Sequence, residues 1–115
     1  MEIKEITTDD SITHLALKGR LDLKGVEQVE LKFTTLVAAK PRPSLIDLSE
    51  LEFIASLGLR MFLSCVKTLK NKNAQMVLLK PTQHVLDILT SVGFDKLIPI
   101  ENDLDKAIEI LKQEP

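Results

Sequence analysis

The chain has 115 residues, 44% of them hydrophobic and 28% charged, and a formal net charge of -2. That is the size and balance of one folded domain over residues 1–115, not of a disordered segment. With four Phe, no Trp and no Tyr, a weakly acidic chain lacks the basic patch and the stacking platforms that direct nucleic-acid binding uses. No apolar run approaches the about 20 residues of a membrane span, so no membrane insertion is expected. The opening Met1-Glu2-Ile3-Lys4 has no signal-peptide core. The single cysteine, Cys65, has no internal partner, so a cytoplasmic setting is expected.

Residues 2–8 read as an edge strand, and Asp9-Asp10-Ser11 as a turn. Ile12–Lys18 is a second strand, with Thr13, Leu15 and Leu17 on one face and Ile12, His14 and Ala16 on the other. Gly19–Gly25 reads as a loop or short extended piece. A helix is expected over Val26–Lys40, with Val26, Val29, Phe33, Leu36 and Val37 as its apolar stripe and Pro41 and Pro43 beyond it.

The stretch around which the rest is organised begins at Leu45. Leu45–Leu48 reads as a strand core, Ser49-Glu50 as a polar turn, and Leu51–Ile54 as a second apolar piece. From Ser56 the period becomes helical: Leu59, Phe62, Leu63, Val66 and Leu69 recur at steps of three and four. Ser56 stands where an N-cap is expected. Free N–H groups and the helix dipole at such a position favour an anion, such as a phosphate on that serine. Leu57, Met61 and Cys65 make a second apolar row, which is either broader core or a contact surface.

Asn71-Lys72-Asn73 ends that helix. Gln75–Lys80 is nearly continuous apolar chain, as in a strand buried on both faces. A helix is expected over Gln83–Val92 with Gly93 at C′, then a strand at Lys96–Ile100 that Pro99 marks as an edge. Asn102 or Asp103 caps a last helix with Leu104, Ala107, Ile108 and Leu111 as its stripe. The order β-β-α-β-α-β-α-β-α predicts an α/β fold, a mixed, mostly parallel sheet of about five strands with about four helices packed on it.

Gly19-Arg20-Leu21-Asp22, followed by the first helix, is one local signature. Ile46-Asp47-Leu48-Ser49, a spacer, and Phe53-Ile54-Ala55-Ser56-Leu57-Gly58-Leu59 is another, and Val92-Gly93-Phe94-Asp95-Lys96-Leu97 lies downstream. In this order and spacing the chain resembles the STAS family, and within it the single-domain anti-sigma-factor antagonists. The resemblance implies a non-enzymatic regulator that binds an anti-sigma factor with serine-kinase activity and so releases a sigma factor. It also implies a phosphoacceptor at the position of Ser56, whose phosphorylation ends the binding, and a serine phosphatase that reverses it. Contact residues expected on this basis are Asp22, Ser56, Leu57, Gly58, Arg60 and Met61. The family usually has an acidic residue before the serine and a second Ser or Thr after it; here those positions are Ala55 and Leu57.

Each of these residues also has a plainer reading. Ser56 reads as an N-cap, Leu57 and Met61 as core, Asp22 as a turn or capping residue and Arg60 as a solvated helix charge. Asp47 reads as a carboxylate that holds loop N–H groups. A second function is a STAS docking subunit of a lipid-transport or stress-signalling assembly that is never phosphorylated. A third, a small α/β enzyme, has little behind it. His14 and His84 stand alone, Cys65 is mid-helix, and there is no phosphate loop and no metal-spaced His/Cys set. No cofactor or metal is expected, and no motif here supports nucleotide binding.

Overall fold

The computed structural model describes residues 1–8 and 10–113; Asp9 of the expected turn lies outside them. Alternating apolar and polar residues pair Glu2–Ile6 (β1) antiparallel with Thr13–Leu21 (β2) as a hairpin, with Ile3 opposite Leu17 and Ile6 opposite His14. The chain then runs through Leu23–Ala38 (α1), Ser44–Ile54 (β3), Ser56–Lys70 (α2), Met76–Leu79 (β4), Gln83–Ser91 (α3), a single 3₁₀ turn at Phe94–Lys96, Ile100–Glu101 (β5) and Leu104–Lys112 (α4). The sheet order is β1-β2-β3-β4-β5, with every pair after the hairpin parallel. This is the expected mixed, mostly parallel five-stranded sheet with four helices.

Two apolar layers hold it. Leu15, Leu17 and Leu21 of β2, Ile46, Leu48, Leu51 and Ile54 of β3, and Leu78 of β4 meet the stripes of α1, α2 and α3. The helices of successive parallel crossovers therefore share one face. On the other face, Leu45, Val77 and Leu79 meet Ala107 and Leu111 of α4. In α1 the buried stripe is Val26, Val29, Phe33 and Val37, with Leu36 half-buried. In α4, Asp103 is the cap, accepting the Lys106 N–H at 3.1 Å.

Four local expectations change. Ser49-Glu50 is not a turn, because β3 is unbroken from Ser44 to Ile54. Its pairing steps from Ala16–Asp47 to Lys18–Glu50, then from Gly19–Leu51 to Arg20–Phe53. At each step β3 uses one residue more than β2, which is a bulge. Two bulges turn the period of two into three, so Leu48, Leu51 and Ile54 all point inward and the polar residues between them face out. The Asp47 carboxylate accepts the Ser49 N–H at 2.9 Å and holds the first bulge. Second, α1 starts earlier than Val26, at Leu23; before it Gly19-Arg20-Leu21 takes the extended alternative, as the end of β2 paired to the far half of β3.

Third, Lys96–Ile100 is not a strand. Leu97 and Ile98 both donate to the Phe94 carbonyl (2.9 Å each), which spends the N–H groups a ladder would need; only Ile100–Glu101 pairs with β4. Gly93 opens this turn at φ 78°, in the left-handed region where glycine carries no Cβ penalty. Fourth, α2 is rotated from its expected stripe. Met61 and Cys65 are buried while Leu59 and Leu63 are only half-buried, because α1 lies along that flank and Phe33 meets Phe62 at a ring separation of 5.5 Å.

Candidate functional site

The site lies where β2 and β3 end. Leu21 and Ile54 are the last paired residues, and just beyond them the Ala55 N–H donates to the Leu21 carbonyl at 2.9 Å. That bond ties the β2–α1 junction to the β3–α2 junction, so Asp22 and Ser56, distant in sequence, each stand one residue past the same tie. Gly58 makes the approach possible. A Cβ there would lie 2.8 Å from Leu21 Cγ and Cδ2 and 3.0 Å from Ile54 Cγ1, so only glycine lets the first turn of α2 sit on the strand ends.

Asp22 is the N-cap of α1. Its Oδ1 accepts the Gly25 N–H at 2.8 Å, and its Oδ2 lies 3.8 Å from Arg20 Nε. The capping reading of Asp22 therefore holds, and one carboxylate oxygen is left beside Arg20 at a half-exposed position.

Ser56 is not the N-cap. Ala55, in extended conformation (φ -99°, ψ 173°), holds that place, and Ser56 is the first helical residue. The Ala55 carbonyl takes the Gly58 and Leu59 N–H groups at 2.9 and 3.1 Å, which leaves the amides of Ser56 and Leu57 ahead of the first intrahelical bonds. No side chain caps α2 and no acidic residue stands in its first turn, whereas Asp22, Thr82 and Asp103 cap the other three helices. Ser56 is exposed and Arg60, one turn further on, is exposed as well. A helix N-terminus of this kind has unmet preference for negative charge.

The other expected contact residues divide. Leu57 is half-buried, while Gly58 and Met61 lie under the surface, Met61 at 3% exposure. The row Leu57–Met61–Cys65 is therefore core at its centre and open only at Leu57. Burial pushes the Cys65 thiol pKa up, against a hydrogen bond with Thr34 of α1, and so leaves the thiol protonated and inert.

The sequence names Arg20 and Phe53 only within motifs and leaves His84 standing alone, whereas the structure joins the three. The Arg20 guanidinium lies 4.7 Å from the centre of the Phe53 ring, and Phe53 stacks on His84 at 6.1 Å and 25°. This row runs from β2 across β3 to α3, next to Asp22. The second bulge, between Gly19–Leu51 and Arg20–Phe53, sets Arg20 opposite Phe53, so no local pattern marks them as neighbours. Thr82, unnoticed in the sequence, caps α3 through the Val85 N–H (3.3 Å) and donates to the Leu51 carbonyl (3.2 Å), pinning α3 to β3.

Elsewhere, His14 is buried in β2; its Nδ1 shares a 2.5 Å hydrogen bond with Thr8 Oγ1. Burial lowers its pKa, and the charge of Asp47 only partly offsets this. Among the described residues no group of three or more His, Cys, Asp or Glu could hold a metal ion. No helix among them is long and apolar enough to cross a membrane.

Residues 4–107 match the family model described as STAS domain. A protein of Bordetella bronchiseptica named as a candidate anti-sigma factor antagonist, BtrV, is 28% identical over 103 residues, 90% of this chain and 89% of that one. Among solved structures, an anti-sigma factor antagonist from Mycobacterium paratuberculosis superposes with a TM-score of 0.83 at 22% identity, covering 97% of this chain and 96% of that one. The anti-sigma factor antagonist SpoIIAA in its unphosphorylated form superposes at 0.79 with 20% identity, covering 96% of each chain. At those identities the two structures share the fold with this chain.

Proposed function

We propose that this chain, which belongs to the STAS domain family, works as an anti-sigma-factor antagonist by partner switching. STAS domains are non-enzymatic regulatory modules, so the proposal concerns binding and its control. The end of the molecule that carries Asp22, Ser56, Leu57 and Arg60 binds an anti-sigma factor with serine-kinase activity and frees a sigma factor. Gly58 and Met61 shape this surface from beneath. Phosphorylation at Ser56 ends the binding and a serine phosphatase restores it.

The observation that carries the reading is an exposed serine at the start of α2, the one α-helix among the described residues without a side-chain cap. A phosphate on Ser56 adds about -1.5 to -2 charges at neutral pH. Within the molecule that charge meets free N–H groups and the positive end of the helix dipole, so the fold tolerates it. Against a partner packed on half-buried Leu57 it is an unpaired ion in a desolvated contact, which costs several kcal/mol. Since about 1.4 kcal/mol is tenfold in affinity, one modification suffices to end the complex.

Incubation with an anti-sigma serine kinase and ATP, followed by peptide mass mapping, tests this. Transfer of one phosphate to Ser56 with release of the kinase supports it; phosphate elsewhere, or none, refutes the switch. One feature favours a second reading, a docking module that is never phosphorylated: Ala55 and Leu57 make both flanks of the serine apolar. Stable binding without transfer would select that reading.

A further inference from the structure

We propose a second docking surface, distinct from the Ser56 end: a cleft along the C-terminal half of α2 that takes an acidic amphipathic helix of a partner protein. A cleft of about 100 Å³ opens there, lined by Val66 and Lys70 of α2, Met76 at the start of β4, and Leu97 and Pro99 of the turn before β5. It has room for one aliphatic side chain. Leu97 is 48% exposed at its mouth.

Val66 of the cleft also belongs to a longer row on α2. Leu59, Leu63, Val66 and Lys70 follow one another at steps of four, three and four, so they form a single row on α2. Leu59 and Leu63 are half-buried and packed on the core by their inner side only. The row is half-open at Leu59 and Leu63 and closes over Val66, which is 5% exposed, because α2 leans toward α1, where Met61, Phe62 and Cys65 are sealed. The result is an apolar strip several turns long ending in a pocket, the shape into which an amphipathic helix lays its i, i+3, i+4, i+7 face.

Charge selects the occupant. The helix α2 carries Arg60, Lys67 and Lys70 and neither Asp nor Glu, in a chain of net charge -2. Lys96 beside Leu97 is balanced by its neighbour Asp95, so the uncompensated charge on this strip is the cationic edge of α2. A helix with carboxylates flanking its apolar face is complementary to that edge, and a basic one is repelled. Lys70 stands about 21 Å along the helix from Ser56 at 1.5 Å per residue. An occupant seated in the cleft from Leu63 to Lys70 therefore lies clear of Ser56, and only one extended to Leu59 meets the Ser56 end.

The test titrates the isotope-labelled protein with two synthetic helical peptides that share leucines at i, i+3, i+4 and i+7, one with glutamates and one with lysines at the remaining positions. The expected result is amide shifts at Leu63, Val66, Lys70 and Leu97 with the acidic peptide. Affinity should fall at least tenfold for Leu97→Glu and for Lys67→Glu with Lys70→Glu. Both surface variants leave core residues untouched, and circular dichroism checks their folding. Absence of those shifts, or equal binding of the basic peptide, overturns the proposal. So does sedimentation showing that the protein alone self-associates through Leu97, which would make a second copy the occupant.

Discussion

Replacing Gly58 by alanine tests the geometry that joins the two halves of the candidate site. The added Cβ meets Leu21 Cγ and Cδ2 at 2.8 Å, a distance that real Cβ atoms essentially never show, and Ile54 Cγ1 at 3.0 Å, well inside ordinary contact. Neither neighbour can swing away, since Leu21 is 0% and Ile54 1% exposed and each is locked by the opposite strand and helix. Overpacking of this kind costs about 1–3 kcal/mol, and three contacts in a sealed site put it in the upper half of that range. Alanine returns about 1 kcal/mol as a better helix former, which leaves a net destabilisation of about 1–2 kcal/mol. For a chain of this length that lowers Tm by about 4–8 °C. Thermal and urea unfolding followed by circular dichroism measure it, with Ser64→Ala, on the exposed face of α2, as a control expected to be neutral. A Gly58→Ala protein as stable as the parent would refute the claim that α2 must sit directly on the ends of β2 and β3.

Three further outcomes are expected. Ser56→Asp should keep or slightly raise thermal stability, by about 0.3–1 kcal/mol from the helix dipole, while lowering affinity for the anti-sigma partner at least tenfold in calorimetry; unchanged affinity would sink the switch. Asp22→Ala should cost about 1 kcal/mol through the lost cap. Asp22→Asn, which can still accept the Gly25 N–H, should restore that stability, so any binding defect left in the Asn variant reports the carboxylate charge itself. For His14, the folded-state pKa is lowered by burial, so the unfolded chain takes up the proton first as pH falls. Its stabilising contribution is complete above the unfolded value of about 6.5 and is lost progressively below it, with a slope of at most about 1.4 kcal/mol per pH unit. Urea midpoints between pH 7.5 and 5 should show this slope, and His14→Gln should flatten it.

The elements that could be read in advance were those whose burial has one cause. The helix α4 buries Ala107 and Leu111 against the face of the sheet that carries Leu45, Val77 and Leu79. A single partner surface writes a single stripe. In α2 the stripe was misjudged because two surfaces, the sheet and α1, compete for the same helix, and a periodicity cannot say how they divide it. That is why Met61 turned inward while Leu59 and Leu63 stayed half-open. The strand β3 reads as two pieces because Ser49-Glu50 looks like a turn locally; only a paired β2 shows that it is a bulge.

The candidate site divides along the same line. Asp22 and Ser56 were visible as a motif residue and a serine at a helix start, and the order of strands and helices was visible with them, since each depends on neighbours within a few residues. Their closeness was not visible, nor were the transfer of the cap from Ser56 to Ala55, the Arg20–Phe53–His84 row or the anchoring of α3 by Thr82. Those are consequences of register between strands that lie more than twenty residues apart. Local pattern specifies which face of each element is apolar, whereas the pairing of distant strands decides which side chains share an end of the sheet.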